Sequence, residues 1–315
     1  MRHAKWSISG DRVRATHRRL RAASRPLAAA ALALGLLFGA VPAVLAAELA
    51  RVHGLWVWKG PSLLATRSQA QQLAEFCRAQ GINEVYVSVF DHGRLGDAAA
   101  LIQLIELLHA GGVRVEALLS STDADEPGKH RDTVLAHVRE LAAFNAGHTR
   151  TRFDGVHLDI EPQQRPENKG AGNLHFLPGL TATYRAVRAL AEPVGLSVNA
   201  DIQNKLLKGT AAERRELLQS LPRLTLMLYE VSDTDAGRAV AKTDALRTAS
   251  GRFLEMAYAD LPAPGLAMLA IGLRTPDYGE QLPQMLKTLD EVNAADPHYL
   301  GWARHSYNDV LAVQR

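Results

Sequence analysis

Short apolar runs alternate with longer amphipathic stretches along most of this chain. Apolar runs that are bounded by turn residues are typical of β-strands, and apolar residues at spacings of three and four are typical of helices. The predicted strands span residues 53–58, 82–90, 113–120, 153–162, 195–202, 224–231, 265–275 and 298–306. A helical stretch follows each strand; the one at 68–81, for example, stops at Gly81.

This alternation predicts an α/β fold with a parallel sheet. Eight strand–helix units within about 260 residues are what a closed (β/α)8 TIM barrel needs. The alternative is an open, doubly wound sheet, which usually carries a glycine-rich phosphate loop after its first strand. The segment after the first strand here, WKGPSLLAT, is not such a loop. We therefore expect one barrel domain over residues 48–315.

The first 47 residues have a different pattern. Eight Lys and Arg residues in the first 26 are followed by an uncharged apolar run from Pro26 to Ala47, with small residues at its end. A basic region, an apolar core and a cleavage-like end are the layout of an export signal. The run is also about long enough to cross a bilayer as an uncleaved anchor. Residues 1–47 are thus predicted to be a signal peptide or membrane anchor, which places the domain in the periplasm or outside the cell.

The net charge of +3 for the whole chain becomes negative when the leader is left out. The leader holds eight of the 36 basic and one of the 33 acidic residues, and the remaining 28 basic and 32 acidic residues give −4. A mildly acidic domain of this kind does not favour nucleic-acid binding. The single cysteine, Cys77, cannot form an internal disulfide and is expected in the core. We expect a monomer that contacts a membrane only through an uncleaved leader.

Polar and aromatic residues collect where the predicted strands end. The carboxyl end of the strands is where (β/α)8 enzymes carry their chemistry. Candidate residues at these ends, strand by strand, are Trp58, Asp159 with Glu161, Asn199 with Asp201, Tyr229 with Glu230, and Trp302. The opposite ends carry bland residues such as Ile82 and Leu224.

The fourth strand carries the strongest candidate chemistry. Side chains alternate between the two faces of a strand, so His157, Asp159 and Glu161 share the face toward the barrel lumen. Glu161 is expected at the mouth and Asp159 one layer below, close enough for a hydrogen bond. Two neighbouring carboxyl groups cannot both ionise cheaply, so one stays protonated near neutral pH. A protonated acid at the mouth of an aromatic cleft is suited to cleave a glycosidic bond.

The motif DGVHLDIE at 154–161 resembles the strand-four signature of family 18 glycoside hydrolases, Asp-Gly-x-Asp-x-Asp-x-Glu, with His157 in place of the middle acid. MLYE at 227–230 is similar to that family's Met-x-Tyr-Asp, and LAIGLRTPDYG at 269–279 resembles its strand seven. Trp302 corresponds to its strand-eight tryptophan. The third strand, with LLSSTD, lacks the family's Ser-x-Gly-Gly. The resemblance covers the predicted strands four to eight.

The resemblance implies a chitinase-like or endo-β-N-acetylglucosaminidase-like barrel that hydrolyses a polysaccharide or an amino-sugar-containing glycan. Glu161 would be the general acid. Asp159 would support it and orient the substrate acetamido group that acts as nucleophile, and Tyr229 would hydrogen-bond the same group. Substrate contacts are also expected from Trp302, Trp58, Asn199, Asp201, Glu230 and His157. Neither a cofactor nor a metal is expected on this interpretation.

Three alternatives remain open on the sequence. His157, Asp159 and Glu161 offer ligand types for a metal-dependent hydrolase, with His92, Asp123 and His305 as the only further candidates. A non-catalytic carbohydrate-binding barrel would use the same acids only to bind sugar. The IEP tripeptide at 160–162 is also similar to the acid/base motif of another barrel glycosidase clan, but that clan ends strand seven with a glutamate where this chain has Arg274.

Overall fold

Eight parallel strands form a closed barrel in a computed structural model that describes residues 51–169, 174–229, 239–259, 261 and 265–313. The predicted leader, residues 1–47, lies outside these ranges. The strands are β1 Val52–Val57, β2 Glu84–Ser88, β3 Arg114–Ser121, β4 Gly155–Ile160, β5 Ser197–Gln203, β6 Arg223–Met227, β7 Met268–Arg274 and β8 Tyr299–His305. Each strand pairs in parallel with its neighbours in chain order, and β8 closes on β1. The predicted (β/α)8 barrel is confirmed.

Helices connect the strands on the outside of the barrel. They are α1 Gly60–Leu63, α2 Arg67–Gln80, α3 Ala98–Ala110, α4 Lys129–Gly147, α5 Leu177–Ala191, α6 Ala211–Leu218, α7 Ala239–Tyr258, α8 Thr275–Tyr278, α9 Leu282–Val292 and α10 Tyr307–Val313. Short 3-10 turns cover 162–164, 166–168, 192–194, 204–208 and 279–281. A small antiparallel hairpin, Phe90–Asp91 with Arg94–Leu95, follows β2. No helix within the described ranges is both long and apolar enough to span a bilayer.

Local sequence signals set several helix ends. Thr66 and Gln69 form a reciprocal capping box at the start of α2, and Thr210 and Glu213 form a second one at the start of α6. Gly81 ends α2 in the left-handed conformation, with φ of 66°. These signals explain why the predicted end of this helix at Gly81 is confirmed.

Two regions of apolar packing surround the strands. Outward-facing strand residues such as Val156, Leu158 and Ile160 join the helices in the main core and are almost fully buried. Inside the barrel, Trp56, Tyr86, Leu118 and Ala303 form a separate cluster. The lumen is therefore filled and not a channel, as packed (β/α)8 barrels require.

An ionic cluster closes the lumen near the amino ends of the strands. Glu84 bonds the guanidinium groups of both Arg223 and Arg114, with 3.2 Å from Glu84 Oε2 to Arg114 Nε. Glu116 lies 3.7 Å from Arg223 and 3.9 Å from Arg114. Buried carboxylates are tolerated there because each has cationic partners.

Candidate active site at the carboxyl ends of the strands

Strand β4 and the residue that follows it present three polar side chains on the lumen side in the predicted alternation. His157 is completely buried, whereas Asp159 and the residue that follows the strand, Glu161, are partly exposed. The polar residues thus rise from the centre of the lumen to its mouth.

Glu161 lies at the mouth and is held by glutamine amides. Its Oε1 atom accepts hydrogen bonds from Gln203 at 2.9 Å and Gln163 at 3.0 Å, and its Oε2 atom accepts from Gln164. Burial, with the charge of Asp201, raises the pKa of Glu161 and outweighs the hydrogen bonds from Gln203 and Gln163 and the charge of Lys205, which lower it. The site therefore favours a proton on Glu161 at higher pH than a free glutamate would hold it.

Asp159 lies one step below with an unused oxygen. Within the described residues its buried Oδ1 atom has no hydrogen-bond partner, and the expected hydrogen bond to Glu161 is not formed. Burial, together with the charges of Asp201 and Glu161, raises the pKa of Asp159 well above its usual value. The charge of Glu161 thus acts on Asp159 without a direct hydrogen bond, and the pKa of Asp159 is the more strongly raised of the two.

Two residues expected to touch substrate are instead occupied inside the lumen. His157 Nε2 lies 2.8 Å from Asp201 Oδ1, and His157 Nδ1 lies 3.4 Å from Glu116. The other oxygen of Asp201 accepts the indole hydrogen of Trp56 at 2.9 Å. His157 and Asp201 are 0% and 2% exposed, and each of their side-chain polar atoms already has a partner inside the lumen. This corrects their predicted role as substrate ligands.

Asn199 also lies too deep. It is 1% exposed, pairs in register with His157, and donates a hydrogen bond to Thr225. Strand β5 continues to Gln203, which reaches the mouth of the barrel. Asp201 and Asn199 therefore lie one and two side-chain layers below the strand end at which they were predicted. This corrects the predicted contact of Asn199. Glu230 lies outside the described residues.

Aromatic side chains border the mouth as predicted for Trp58 and Tyr229. Trp58 is partly exposed and donates its indole hydrogen to His305 Nε2 at 3.0 Å. The rings of Tyr229 and His305 are 5.8 Å apart, and the Arg274 guanidinium lies 5.6 Å from the centre of the Tyr229 ring. The charges of Asp201, Asp159 and Glu161 add to burial in raising the pKa of Tyr229, so its hydroxyl stays neutral beside the acids.

Trp302 does not belong to this mouth. Its indole donates to Asp290 of α9 at 2.9 Å and its ring stacks on His53 at 4.2 Å, so it packs outside the barrel. The register of β8 shifts between Tyr299 and Gly301, which fixes the strand phase so that Ala303 and His305 face the lumen. A one-residue change of phase moves a side chain to the other face of a strand. The predicted position of Trp302 at the mouth is therefore wrong.

Two cavities extend from the mouth across the ends of β1 to β3. The larger has a volume of about 580 Å3 and is lined by Trp58, Lys59, Pro61, Ser62, Ser88, Phe90 and Asp91. The second, of about 280 Å3, shares Ser88 and Phe90 with the first and continues toward His130 and His137 of α4. The ring of Phe90 stacks on His137 at 3.9 Å. An aromatic, polar-edged groove of this size has room for sugar rings.

The described residues do not form the cluster of ligands that a metal-dependent hydrolase would need. Among the residues that the structure describes, no three His, Cys, Asp or Glu side chains are grouped so that they could hold a metal ion. His157 is bonded to two carboxylates, and His305 accepts the indole hydrogen of Trp58.

Sequence reasoning missed two residues that shape the site. Gln203 holds Glu161, and Glu116 holds His157 from below. Both follow from strand alternation: Gln203 is two residues beyond Asp201, and Glu116 occupies a lumen position of β3. Extending the period-two pattern of β5 by one more step would have found Gln203.

Comparisons with known proteins find a similarity in fold but none in sequence families. No protein-family model matches the sequence, and no curated protein matches it. The spore cortex-lytic enzyme SleL from Bacillus megaterium QM B1551 is 11% identical, with 81% of this chain and 70% of that chain covered and a TM-score of 0.52. An endo-1,4-β-mannanase from Rhizomucor miehei is 8% identical, with 81% of this chain and 86% of that chain covered and a TM-score of 0.53. A chitinase from Bacteroides thetaiotaomicron is 14% identical, with 82% of this chain and 90% of that chain covered and a TM-score of 0.50. The chain thus shares the (β/α)8 fold of these solved enzymes.

Proposed function

We propose that this protein is a glycoside hydrolase in which Glu161 protonates the leaving glycosidic oxygen. The observation that carries the proposal is a partly exposed carboxyl group with a raised pKa at the carboxyl ends of the strands. General acids that act near neutral pH need such a shift, because an ordinary glutamate would already have lost its proton. The groove at the ends of β1 and β2, with Trp58 and Phe90 on its walls, supports a sugar as the substrate.

The remaining mouth residues take supporting roles in this proposal. Asp159 supplies a neutral carboxyl group beneath Glu161, and its unpartnered Oδ1 atom is available to a polar group of the substrate. Tyr229 offers its hydroxyl from the end of β6. The similarity to family 18 hydrolases favours an N-acetylated amino sugar whose acetamido oxygen attacks the anomeric carbon. The cortex-lytic enzyme and the chitinase, which have similar folds, make such glycans the first substrates to test.

Export is part of the same proposal. A basic and then apolar leader over residues 1–47 would deliver the barrel to the periplasm or the outside, where polysaccharides are found. Mass spectrometry of the exported protein should find a mature amino terminus near Ala47. Full-length protein that stays in the cytosol without membrane association would contradict this part of the proposal.

A carbohydrate-binding barrel without hydrolytic activity is the second candidate. The observation in its favour is that three glutamine amides donate to the two oxygens of Glu161, which stabilises the ionised form. Release of reducing ends from a panel of chitin, peptidoglycan and N-glycan substrates separates the candidates. Hydrolysis by the wild type and its loss in Glu161→Gln support the enzyme. Binding without hydrolysis supports the second candidate.

A further inference from the structure

The last residue of β8, His305, accepts the indole hydrogen of Trp58. The distance from Trp58 Nε1 to His305 Nε2 is 3.0 Å. Trp58 is partly exposed and forms part of the wall of the larger cavity. The His305 ring centre is 6.1 Å from that of Trp58 and 5.8 Å from that of Tyr229. The histidine thus lies beside both the cavity wall and the aromatic border of the mouth.

The direction of this hydrogen bond fixes the protonation state of His305. An indole N–H group can only donate, so the Nε2 atom of His305 must present a lone pair to Trp58. The hydrogen of the neutral ring is therefore on Nδ1. Within the described residues the buried Nδ1 atom has no hydrogen-bond partner, and the Oδ2 atom of Asp309 lies 3.7 Å from it. The bond to Trp58 thus requires the neutral ring with its hydrogen on Nδ1.

A second proton on His305 would remove the acceptor for Trp58. Both nitrogens of an imidazolium ring carry hydrogens, so the N–H groups of His305 and Trp58 would point at each other. The positive charge would instead favour the carboxylate of Asp309 near the other ring nitrogen. Burial is the largest cause acting on His305 and lowers its pKa, so the neutral ring persists to lower pH than in an exposed histidine.

The backbone of Trp58 is held separately from its side chain. Asn308 of α10 accepts from the Trp58 backbone N–H at 2.9 Å and donates to the Trp58 carbonyl oxygen at 3.0 Å. Loss of the bond to His305 leaves both of these bonds in place. The expected change is therefore local: the indole ring becomes free to turn while the end of β1 stays where it is.

We propose that neutral His305 is a positioning residue that fixes the Trp58 indole as a wall for glycan binding, and that protonation of His305 releases the indole. A side chain that is already held in one orientation binds without the entropy cost of being ordered. Glycan binding should therefore weaken as His305 takes up its second proton. The glycan part of this proposal rests on the proposed function, whereas the state of the bond between His305 and Trp58 does not.

Other charged and titratable groups also face His305. They are Asp201 from β5, Tyr229 after β6, Arg274 at the end of β7, Asp277 of α8 and Asp309 of α10. The three aspartates favour the protonated form of His305, and the arginine opposes it. These groups are present both in the wild type and in a variant that lacks only the imidazole. The difference between the two proteins therefore isolates the titration of His305.

Nitrogen-15 NMR reads the state of the bond and needs no glycan. The ring signals of His305 are assigned by their loss in His305→Gln, and the indole signal of Trp58 by its loss in Trp58→Phe. At pH 8 the Nδ1 atom of His305 should carry the hydrogen and Nε2 should not. The Trp58 signal should shift together with the titration of His305, whose midpoint should lie below 6.5. A hydrogen on Nε2 at pH 8, or a Trp58 signal that does not follow this titration, would overturn the proposal.

Calorimetric titration with a chitin hexasaccharide at pH 8 and pH 4.5 measures the effect on binding. The wild type should bind about two- to tenfold more weakly at pH 4.5, the range expected when one side chain must be ordered on binding. His305→Gln should bind like the wild type at pH 8 and lose less affinity at pH 4.5, because its amide oxygen can still accept the indole hydrogen. His305→Leu has no acceptor and should bind weakly at both pH values.

The matched control is His148→Gln, which changes a partly exposed histidine after α4 and before the start of β4. It should follow the wild type at both pH values. Equal pH dependence in the wild type and His305→Gln, or wild-type affinity in His305→Leu, would overturn the proposal. If the wild type does not bind the hexasaccharide but shows the expected NMR titration, the proposed function fails for this glycan while the control of Trp58 by His305 is supported.

Discussion

The Nε2 atom of His157 lies 2.8 Å from the Oδ1 atom of Asp201, and both side chains are buried under the mouth of the barrel. Since Glu116 contacts the other ring nitrogen, the histidine is flanked by two carboxylates and favours its charged form. The polar residue at the centre of β4 is therefore part of an internal ion pair and not a surface ligand.

This pair predicts a loss of stability at alkaline pH. The pKa of His157 is about 9 in the folded protein, above the roughly 6.5 of an unfolded histidine. Its contribution to the free energy of unfolding, roughly 3 kcal/mol, is complete below about pH 6.5 and is lost as pH rises through about 9. Urea unfolding from pH 6 to 10 should show this slope in the wild type and a weaker slope in His157→Gln.

The matched control for this experiment is His130→Gln, at an exposed position near the start of α4. It should keep the pH dependence of the wild type. Equal slopes for the wild type and His157→Gln would mean that the buried histidine does not carry the charge assigned to it.

The two tryptophans separate the mouth from the outer core. Trp58→Ala should weaken glycan binding about tenfold, because a partly exposed indole in a groove is a typical contact for a sugar ring. Trp302→Phe should leave binding unchanged and should lower the free energy of unfolding by about 1 kcal/mol, the worth of the hydrogen bond to Asp290. Calorimetric titration and urea unfolding measure the two effects. Weaker glycan binding in Trp302→Phe would contradict this prediction, because it would show that Trp302 contacts the substrate at the mouth.

Gly301 is expected to be irreplaceable in β8. Its φ is 139°, and an added Cβ atom would lie 2.0 Å from the carbonyl oxygen of Val52. Gly301→Ala should destabilise the barrel by about 3 kcal/mol or more, or prevent folding, because strain and overlap with backbone add together. Gly251→Ala is the control: it lies in α7 with open space around its Cβ position and should stabilise by about 0.5–1 kcal/mol.

The fold was accessible from the sequence because each strand–helix unit has its own periodic signal. The inward phase of β4 was also predictable, since Val156, Leu158 and Ile160 alternate with His157, Asp159 and, just after the strand, Glu161. The phase of β8, that is, which of its residues face the lumen, was not predictable from the sequence. The register shifts next to Gly301, and the residues on both faces of the strand are buried, so no polar residue marks the shift. A strand buried on both sides carries no alternation from which to read its phase.

The distance of a lumen-facing residue from the mouth of the barrel was the second feature that the sequence could not predict. Asn199, Asp201 and Gln203 all face the lumen, and period two cannot tell which of them reaches the mouth. The answer depends on where β5 ends relative to its neighbours, which is a property of the whole barrel. The partnership of His157 with Glu116 likewise joins residues 41 positions apart, and local pattern does not encode such a pairing.

Glu161 is the centre of this account, and its removal is the decisive change. Glu161→Gln should reduce hydrolysis about 10²- to 10⁴-fold, because general acid catalysis typically supplies that much. Affinity for the glycan should survive, since glutamine keeps the size and polarity of the side chain. The matched control is Glu75→Gln, the same chemical change at an exposed position of α2.

The most direct measurement compares the rates of wild type, Glu161→Gln and Glu75→Gln on the glycan that wild type cleaves and on an aryl glycoside of the same sugar. A very good leaving group needs little protonation, so the aryl substrate should restore much of the rate lost in Glu161→Gln and should leave Glu75→Gln unchanged. Near wild-type turnover of the natural glycan by Glu161→Gln would contradict the assignment and place the proton donor elsewhere.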